Sequence, residues 1–308
     1  MGVPATGGHE ISKLYGLTVR TRSAVINASI LPKMTETAEM VEASIAAAGI
    51  KAPLMIMRGD GGVMDAAEMR RRPILTMLSG PAASVAGALM HLRVSDGIFF
   101  EVGGTSTNIG VIRHGRPTLK YVELGGHRTN VHSLDVRVLG VAGGSLIRLA
   151  GREVVDVGPR SAHIAGLPYS TFAAPDEILE PELVLLRPRP GDPDDYAAVR
   201  VSGKLFALTT TCAANVLALP KPGDYSHGNA ESARRAFAPL AARLGVSVDA
   251  VAERVLATAA RKVIPLVETL LGEYGLDRSQ AVLVGGGGGA TALIPFTAKL
   301  LGLPYRIA

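Results

Sequence analysis

The chain has no tryptophan, and its aromatic residues make up only 4% of 308 positions. Stacking platforms for single-stranded nucleic acid are therefore scarce. Cations are thinly spread as well: 32 Lys+Arg against 27 Asp+Glu leave a formal charge of +5, and no basic block exceeds Arg70-Arg71-Arg72, which reads as a solvated face. A nucleic-acid partner is not expected. The one cysteine, Cys212, cannot form an internal disulfide and reads as a buried structural thiol. No charged-then-apolar leader opens the sequence, so a cytoplasmic setting is expected. No uninterrupted apolar run approaches the roughly 18 to 20 residues that a membrane-spanning helix needs, and no membrane association is expected.

What the chain does have is apolar content and glycine. A hydrophobic share of 47% with 19% charged residues predicts a folded protein. The length suits two domains or one large α/β unit. The 36 glycines are clustered, at Gly59 to Gly62, Gly103-Gly104, Gly125-Gly126, Gly143-Gly144 and Gly285 to Gly289. Most of these clusters directly follow an apolar segment. Strand, glycine turn and helix in succession is the pattern of α/β nucleotide-binding folds.

The segment 23–48 is helix-prone with Pro32 interrupting it, and a strand is expected at 53–57. Ser79-Gly80-Pro81 opens an Ala-rich helix to Leu92, with Pro81 in the first turn, where its missing N–H costs nothing. A hairpin follows, with strands near 98–100 and 109–112 and a polar tip. Further strands are expected at 118–123, 131–139 and 146–157, and an irregular insertion at about 158–210. The segment 249–273 has apolar residues near helical spacing, with a kink expected at Pro265. A buried strand at 281–284, a helix at 290–301 and a final strand from Tyr305 complete the reading.

Two constellations can carry chemistry. At the hairpin tip, Gly103, Gly104, Thr105, Ser106 and Thr107 form a donor-rich loop suited to phosphate oxygens. Glu101 and Asn108 at its ends could hold Mg²⁺ through water, because that ion prefers oxygen ligands and keeps much of its hydration shell. The second constellation is the run Gly285, Gly286, Gly287, Gly288 and Gly289 before a helix. Missing side chains there let a flat ring approach the backbone, and the helix N-terminus adds partial positive charge. It lacks the Lys-Ser/Thr ending of a P-loop.

Asp60-Gly61-Gly62, Leu78 to Ala83, Glu101 to Asn108, Gly140 to Ser145 and Val157 to Ala162 occur in the order seen in the hydantoinase/oxoprolinase family. The chain resembles the hydantoinase A domain of that family over nearly its whole length. The resemblance implies an α/β fold of actin-like ATPase (ribonuclease H-like) lobes, with mixed sheets flanked by helices closing on ATP and Mg²⁺. It places 1–92 in the first lobe, with its interlobe helix, and 93–308 in the second. It makes Gly103 to Thr107 the second phosphate loop and Gly285 to Gly288 part of the adenosine loop. It retains Asp135 as a catalytic candidate, because the family carries an Asp just before its glycine turn. The implied partners are a small cyclic amide substrate and either a hydantoinase B-type subunit or flanking regions.

Three departures from the family pattern stand out. Glu101 and Asn108 replace an Asp at each end of the phosphate loop, Ala213-Ala214-Asn215 stands where Asp-Ala-Asn is common, and the family's first phosphate loop lies in an N-terminal region not contained in these 308 residues. The expected function is the nucleotide-binding segment of a hydrolase of hydantoinase or 5-oxoprolinase type. The alternatives are an ATPase subunit or activator of a carboxylase-type complex, and a degenerate structural subunit. With one side of the phosphate cleft present, the isolated chain should bind nucleotide weakly and hydrolyse it negligibly. A steady-state assay giving turnover of roughly 1 to 1,000 per second would contradict that expectation.

Overall fold

The computed structural model describes residues 5–308. It divides into two compact units, one running up to Met90 and including Pro117–Val136, the other formed by His91–Arg116 and Arg137–Ala308. Among the described residues, no helix is long and apolar enough to cross a membrane.

In the first unit the helix Leu17–Ala47 runs unbroken through Pro32, where an interruption was expected. Ala28, whose carbonyl loses its partner at Pro32, is exposed, so water can satisfy it. The helix is fixed by a buried polar residue. Asn27 accepts a hydrogen bond from Ile74 N (3.0 Å) and donates to the Arg71 carbonyl (3.0 Å) and to Thr6 Oγ1 (3.0 Å). Ile74 packs with Ile11, Val122 and Val131 in a small core. The hairpin Leu119–Leu124 with His127–Leu134 turns through Gly125 and Gly126, both at positive φ, as a tight two-residue turn requires. Arg70, Arg71 and Arg72, expected as a solvated face, keep solvent exposure, Arg71 most of all, and also pair with Glu42, Glu10 and Glu68.

The second unit holds a mixed sheet whose consecutive strands are Tyr305–Ile307, Val282–Gly286, Gly97–Val102 and Thr107–Arg113. The first three are parallel, and the last is antiparallel to Gly97–Val102. A second sheet is antiparallel, in the order Glu153–Ser161, Ser145–Ala150, Tyr196–Val201 and Glu182–Leu186, with Lys204–Ala207 also on Tyr196–Val201. The segment 146–157, expected as one strand, is thus a hairpin that turns at Gly151 (φ 58°). The segment 131–139 is likewise split at Asp135. The expected irregular insertion stays without strands over 162–181 and 187–195 but supplies Glu182–Leu186, Tyr196–Val201 and Lys204–Ala207 to the second sheet.

The helices Thr210–Val216, Ala230–Leu244, Val248–Glu273 and Ala290–Leu301 pack into the same core. Thr209, Asn229 and Ser247 cap the first three by accepting from the backbone N–H three residues on, which satisfies a donor left free at a helix start. Val248–Glu273 stays helical through Pro265. Lys262 on that helix donates to Asp156 Oδ1 (2.7 Å) and to the Val157 carbonyl (3.0 Å), which ties it to the second sheet.

Phe237 is fully buried in this core. Phe237→Ala should lower stability by about 3–5 kcal/mol, read as a fall in the denaturant midpoint. A loss below about 1 kcal/mol would show that the helix Ala230–Leu244 is not packed as described.

Candidate functional site

The site begins with strand register. Val282–Gly286 runs parallel to Gly97–Val102, with Gly285 opposite Phe100 and Gly286 opposite Glu101. The bends that follow both strands therefore leave the sheet side by side at its carboxyl edge, where open α/β sheets bind ligands. Main-chain hydrogen bonds join them. Gly289 N donates to the Val102 carbonyl (2.9 Å). A third bend joins in, with Gly143 N donating to Gly103 O (3.0 Å), Gly144 N to Gly104 O (2.8 Å) and Thr211 N to Gly143 O (2.8 Å).

These contacts leave no room for side chains. A methyl group at Gly289 would lie 2.8 Å from Gly143 N, 2.8 Å from Val102 Cγ1 and 2.9 Å from Gly103 O. One at Gly144 would overlap the Tyr169 hydroxyl and the Gly104 carbonyl. The three bends surround a cleft of about 230 Å³. Backbone of Gly103, Gly104, Gly143, Gly288 and Gly289 forms one part of its lining. Tyr169, Phe172, Thr211, Tyr225 and Ser226 form the rest, so none of the lining side chains is charged. Gly289 also caps the helix Ala290–Leu301, whose N-terminus adds partial positive charge. Burial pushes the Tyr169 phenol above its ordinary range, keeping it a neutral hydrogen-bonding group.

A larger groove of about 500 Å³ lies against the helices Val248–Glu273 and Ala290–Leu301, lined by residues such as Glu253, Arg254, Arg261 and Lys299. It contains no glycine bend and no cluster of backbone donors, so the smaller cleft is the better ligand site.

The structure brings some of the residues expected from sequence to the cleft and commits others elsewhere. Gly103, Gly104 and Gly288 line the cleft. Gly285 and Gly286 are strand residues, and Gly287 turns at φ 87° against the Val102 backbone. The Thr107 hydroxyl is buried and donates to the Val141 carbonyl (2.5 Å), while Thr105 Oγ1 and Ser161 Oγ share a hydrogen bond (3.0 Å). Ser106 accepts from Gly103 N through its carbonyl (3.1 Å), closing the tip. Glu101 and Asn108 face each other across the hairpin, and Asn108 Nδ2 donates to Glu101 Oε2 (2.9 Å). Asp135 belongs to the first unit and is buried, with its N–H donating to the Thr118 carbonyl (3.0 Å). Cys212 is buried, with Thr209 and Ser170 hydroxyls donating to its sulfur, as a structural thiol should be.

Tyr169, Phe172, Thr211, Tyr225 and Ser226 were not expected at the site. Tyr169, Phe172, Tyr225 and Ser226 come from segments without regular strand or α-helix, and Thr211 lies in the first turn of the short helix Thr210–Val216, where the nearby signal is the Gly143-Gly144 turn to which it bonds.

The fold is α/β, with mixed sheets flanked by helices, and two solved structures share it. The hydantoinase/oxoprolinase family profile matches residues 20–308, and the chain belongs to that family. It is similar to caprolactamase subunit alpha of Pseudomonas jessenii, at 30% identity over 159 residues, covering 50% of this chain and 23% of that protein. Among solved structures, the ATP-dependent caprolactamase of the same organism matches with a TM-score of 0.66 and 24% identity, over 97% of this chain and 40% of that one. Nucleotide-free acetone carboxylase matches with a TM-score of 0.66 and 18% identity, over 96% of this chain and 39% of that one. The chain thus spans well under half the length of these proteins.

If the bends meet as described, Gly289→Ala should destabilise the protein by about 1–3 kcal/mol through overpacking. Gly272→Ala, at an exposed helical position with nothing within 4 Å of the added methyl, should be neutral or stabilising by up to about 1 kcal/mol. Equal effects of the two in denaturant unfolding would contradict the geometry.

Proposed function

We propose that this chain is the nucleotide-binding portion of an ATP-dependent enzyme that opens cyclic imides or lactams. One observation carries the reading: two glycine bends, about 180 residues apart in sequence, are hydrogen-bonded to each other beside one uncharged cleft. Family membership and the ATP-dependent activity named for both solved relatives support it.

In this reading the hairpin tip from Gly103 to Ser106 holds phosphate oxygens, and the adenosine lies beside the bend at Gly288 and Gly289. Thr107 packs instead, because its hydroxyl is committed to Val141. What supports the fit is the cleft's lining of glycine backbone and uncharged side chains; the close approach of the bends that form it requires glycine at 289. Glu101 and Asn108 offer adjacent oxygen atoms, a donor set that suits hydrated Mg²⁺. The bound ion would supply electrostatic stabilisation of phosphoryl transfer. Transfer of the γ-phosphoryl group of ATP to a ring carbonyl oxygen, releasing ADP, would make that carbon electrophilic enough for water to add; loss of inorganic phosphate and cleavage of the C–N bond would then open the ring. Asp135 enters as catalytic candidate through its place before the family's glycine turn. A hydantoinase B-type subunit or flanking sequence would supply the remaining groups, and the assembly would work in the cytoplasm.

A second reading, an ATPase subunit of a carboxylase-type complex, draws on the equal TM-score with acetone carboxylase. The complete assembly decides between them when given Mg·ATP and a panel of hydantoins, 5-oxoproline and lactams. The proposal predicts ATP hydrolysis coupled to ring opening, and a fall in kcat of roughly 10- to 1,000-fold for Glu101→Ala. ATP turnover with no ring opened across the panel would favour the carboxylase reading. Absence of Mg·ATP and Mg·ADP binding would leave only a structural subunit.

A further inference from the structure

The loop between Val216 and Ala230 is unusually well fastened for a segment without regular structure. Asn215, buried on the helix Thr210–Val216, holds it with two hydrogen bonds and ties back to its own helix with a third. Its Nδ2 donates to the Ser226 carbonyl (2.9 Å) and to the Thr211 carbonyl (2.9 Å), while Oδ1 accepts from Gly228 N (2.8 Å). An aspartate there would lose the donors and an aliphatic residue would lose everything. The Ser226 hydroxyl adds a second tie, 2.8 Å from Thr291 Oγ1 on the helix that follows the glycine run. Asp224 braces the loop internally by accepting from Lys221 N (2.7 Å).

Between these ties stands Tyr225, whose side chain the loop does not bury. It is 92% exposed. Its ring rests on Gly288, where an added methyl would lie 2.7 Å from Cδ1. Phe172, also exposed, lines the same cleft. A buried amide and a hydroxyl pair thus hold a loop that presents the exposed ring of Tyr225 to the cleft. At the Tyr225 end the lining is aromatic and carries no charged side chain, which suits an uncharged flat ring stacked on an aromatic face.

We propose that Tyr225 stacks on the base of the bound nucleotide and that Asn215 is the positioning residue that holds it over Gly288. This rests on the nucleotide reading of the cleft given above. The test uses the 308-residue chain, Mg·ADP and calorimetry, with a fluorescent reporter made possible by the absence of tryptophan. Tyr225→Phe should bind as the parent does. Tyr225→Ala should bind roughly 5- to 100-fold more weakly with an unchanged unfolding midpoint. In Tyr225→Trp, the only indole should be quenched saturably by Mg·ADP and unaffected by Mg·pyrophosphate. Adding Asn215→Ala should abolish that quenching; should the double variant not fold, Thr291→Val in its place removes the other tie and carries the same expectation. If the parent binds Mg·ADP and Tyr225→Ala binds equally well, the stacking role is wrong while the nucleotide site stands. If the parent binds no Mg·ADP even at millimolar concentration, both fall.

Discussion

The site depends on backbone bonded to backbone. Gly289 N to Val102 O, Gly143 N to Gly103 O and Gly144 N to Gly104 O join three bends from distant parts of the chain without using a side chain. Each such bond contributes only about 0.5–1.5 kcal/mol net, but leaving one of these groups unpaired within the fold would cost about 1–3 kcal/mol. The bends therefore hold together as a set. Glycine is required less for flexibility than for closeness, since a methyl at 289 would separate all three.

What aligns the bends is the parallel pairing of Val282–Gly286 with Gly97–Val102, and what fixes that pairing is the core behind it. Phe100 and Ile98 on one strand and Leu283 on the other are fully buried with Ile294 of the following helix. Phe99 and Val284 are buried on the opposite face, so a slip of one residue would exchange the side chains of two packed faces; that packing sets the register and the register sets the cleft. The Gly143 bend is pinned from another side. The Thr210 hydroxyl lies 2.5 Å from Ala142 O and 2.8 Å from Gly143 O, and Ser145 Oγ accepts from Ala142 N (2.8 Å).

The parts of this architecture written locally were legible in the sequence. Gly-Gly-Thr-Ser-Thr after an apolar strand, and five glycines between a strand and a helix, announce close backbone approach wherever they occur. Their joint position followed only from the family resemblance. Individual roles were less legible. Thr107 was read as a phosphate contact, yet strand alternation puts it on the buried face with Ile109 and Val111. The aromatic walls were invisible because Tyr169 and Tyr225 sit in segments whose course is set by tertiary bonds, such as Ala207 N to Pro168 O and Gly228 N to Asn215 Oδ1. The hairpin at Gly151 was hidden by β-forming residues on both sides of the turn.

The missing family acid near Ala213 can be seen in this light. Its neighbour Asn215 has a complete structural task, and Ala213 is buried in the core, where an unpaired carboxylate would be costly. The most direct measurement of the central claim is hydrogen–deuterium exchange of the chain with and without Mg·ADP. If the bends share one nucleotide, amides near 103–106, 143–145 and 287–290 should gain protection together, over the same range of nucleotide concentration. Protection confined to one of these segments, or appearing elsewhere while all three stay unchanged, would contradict it.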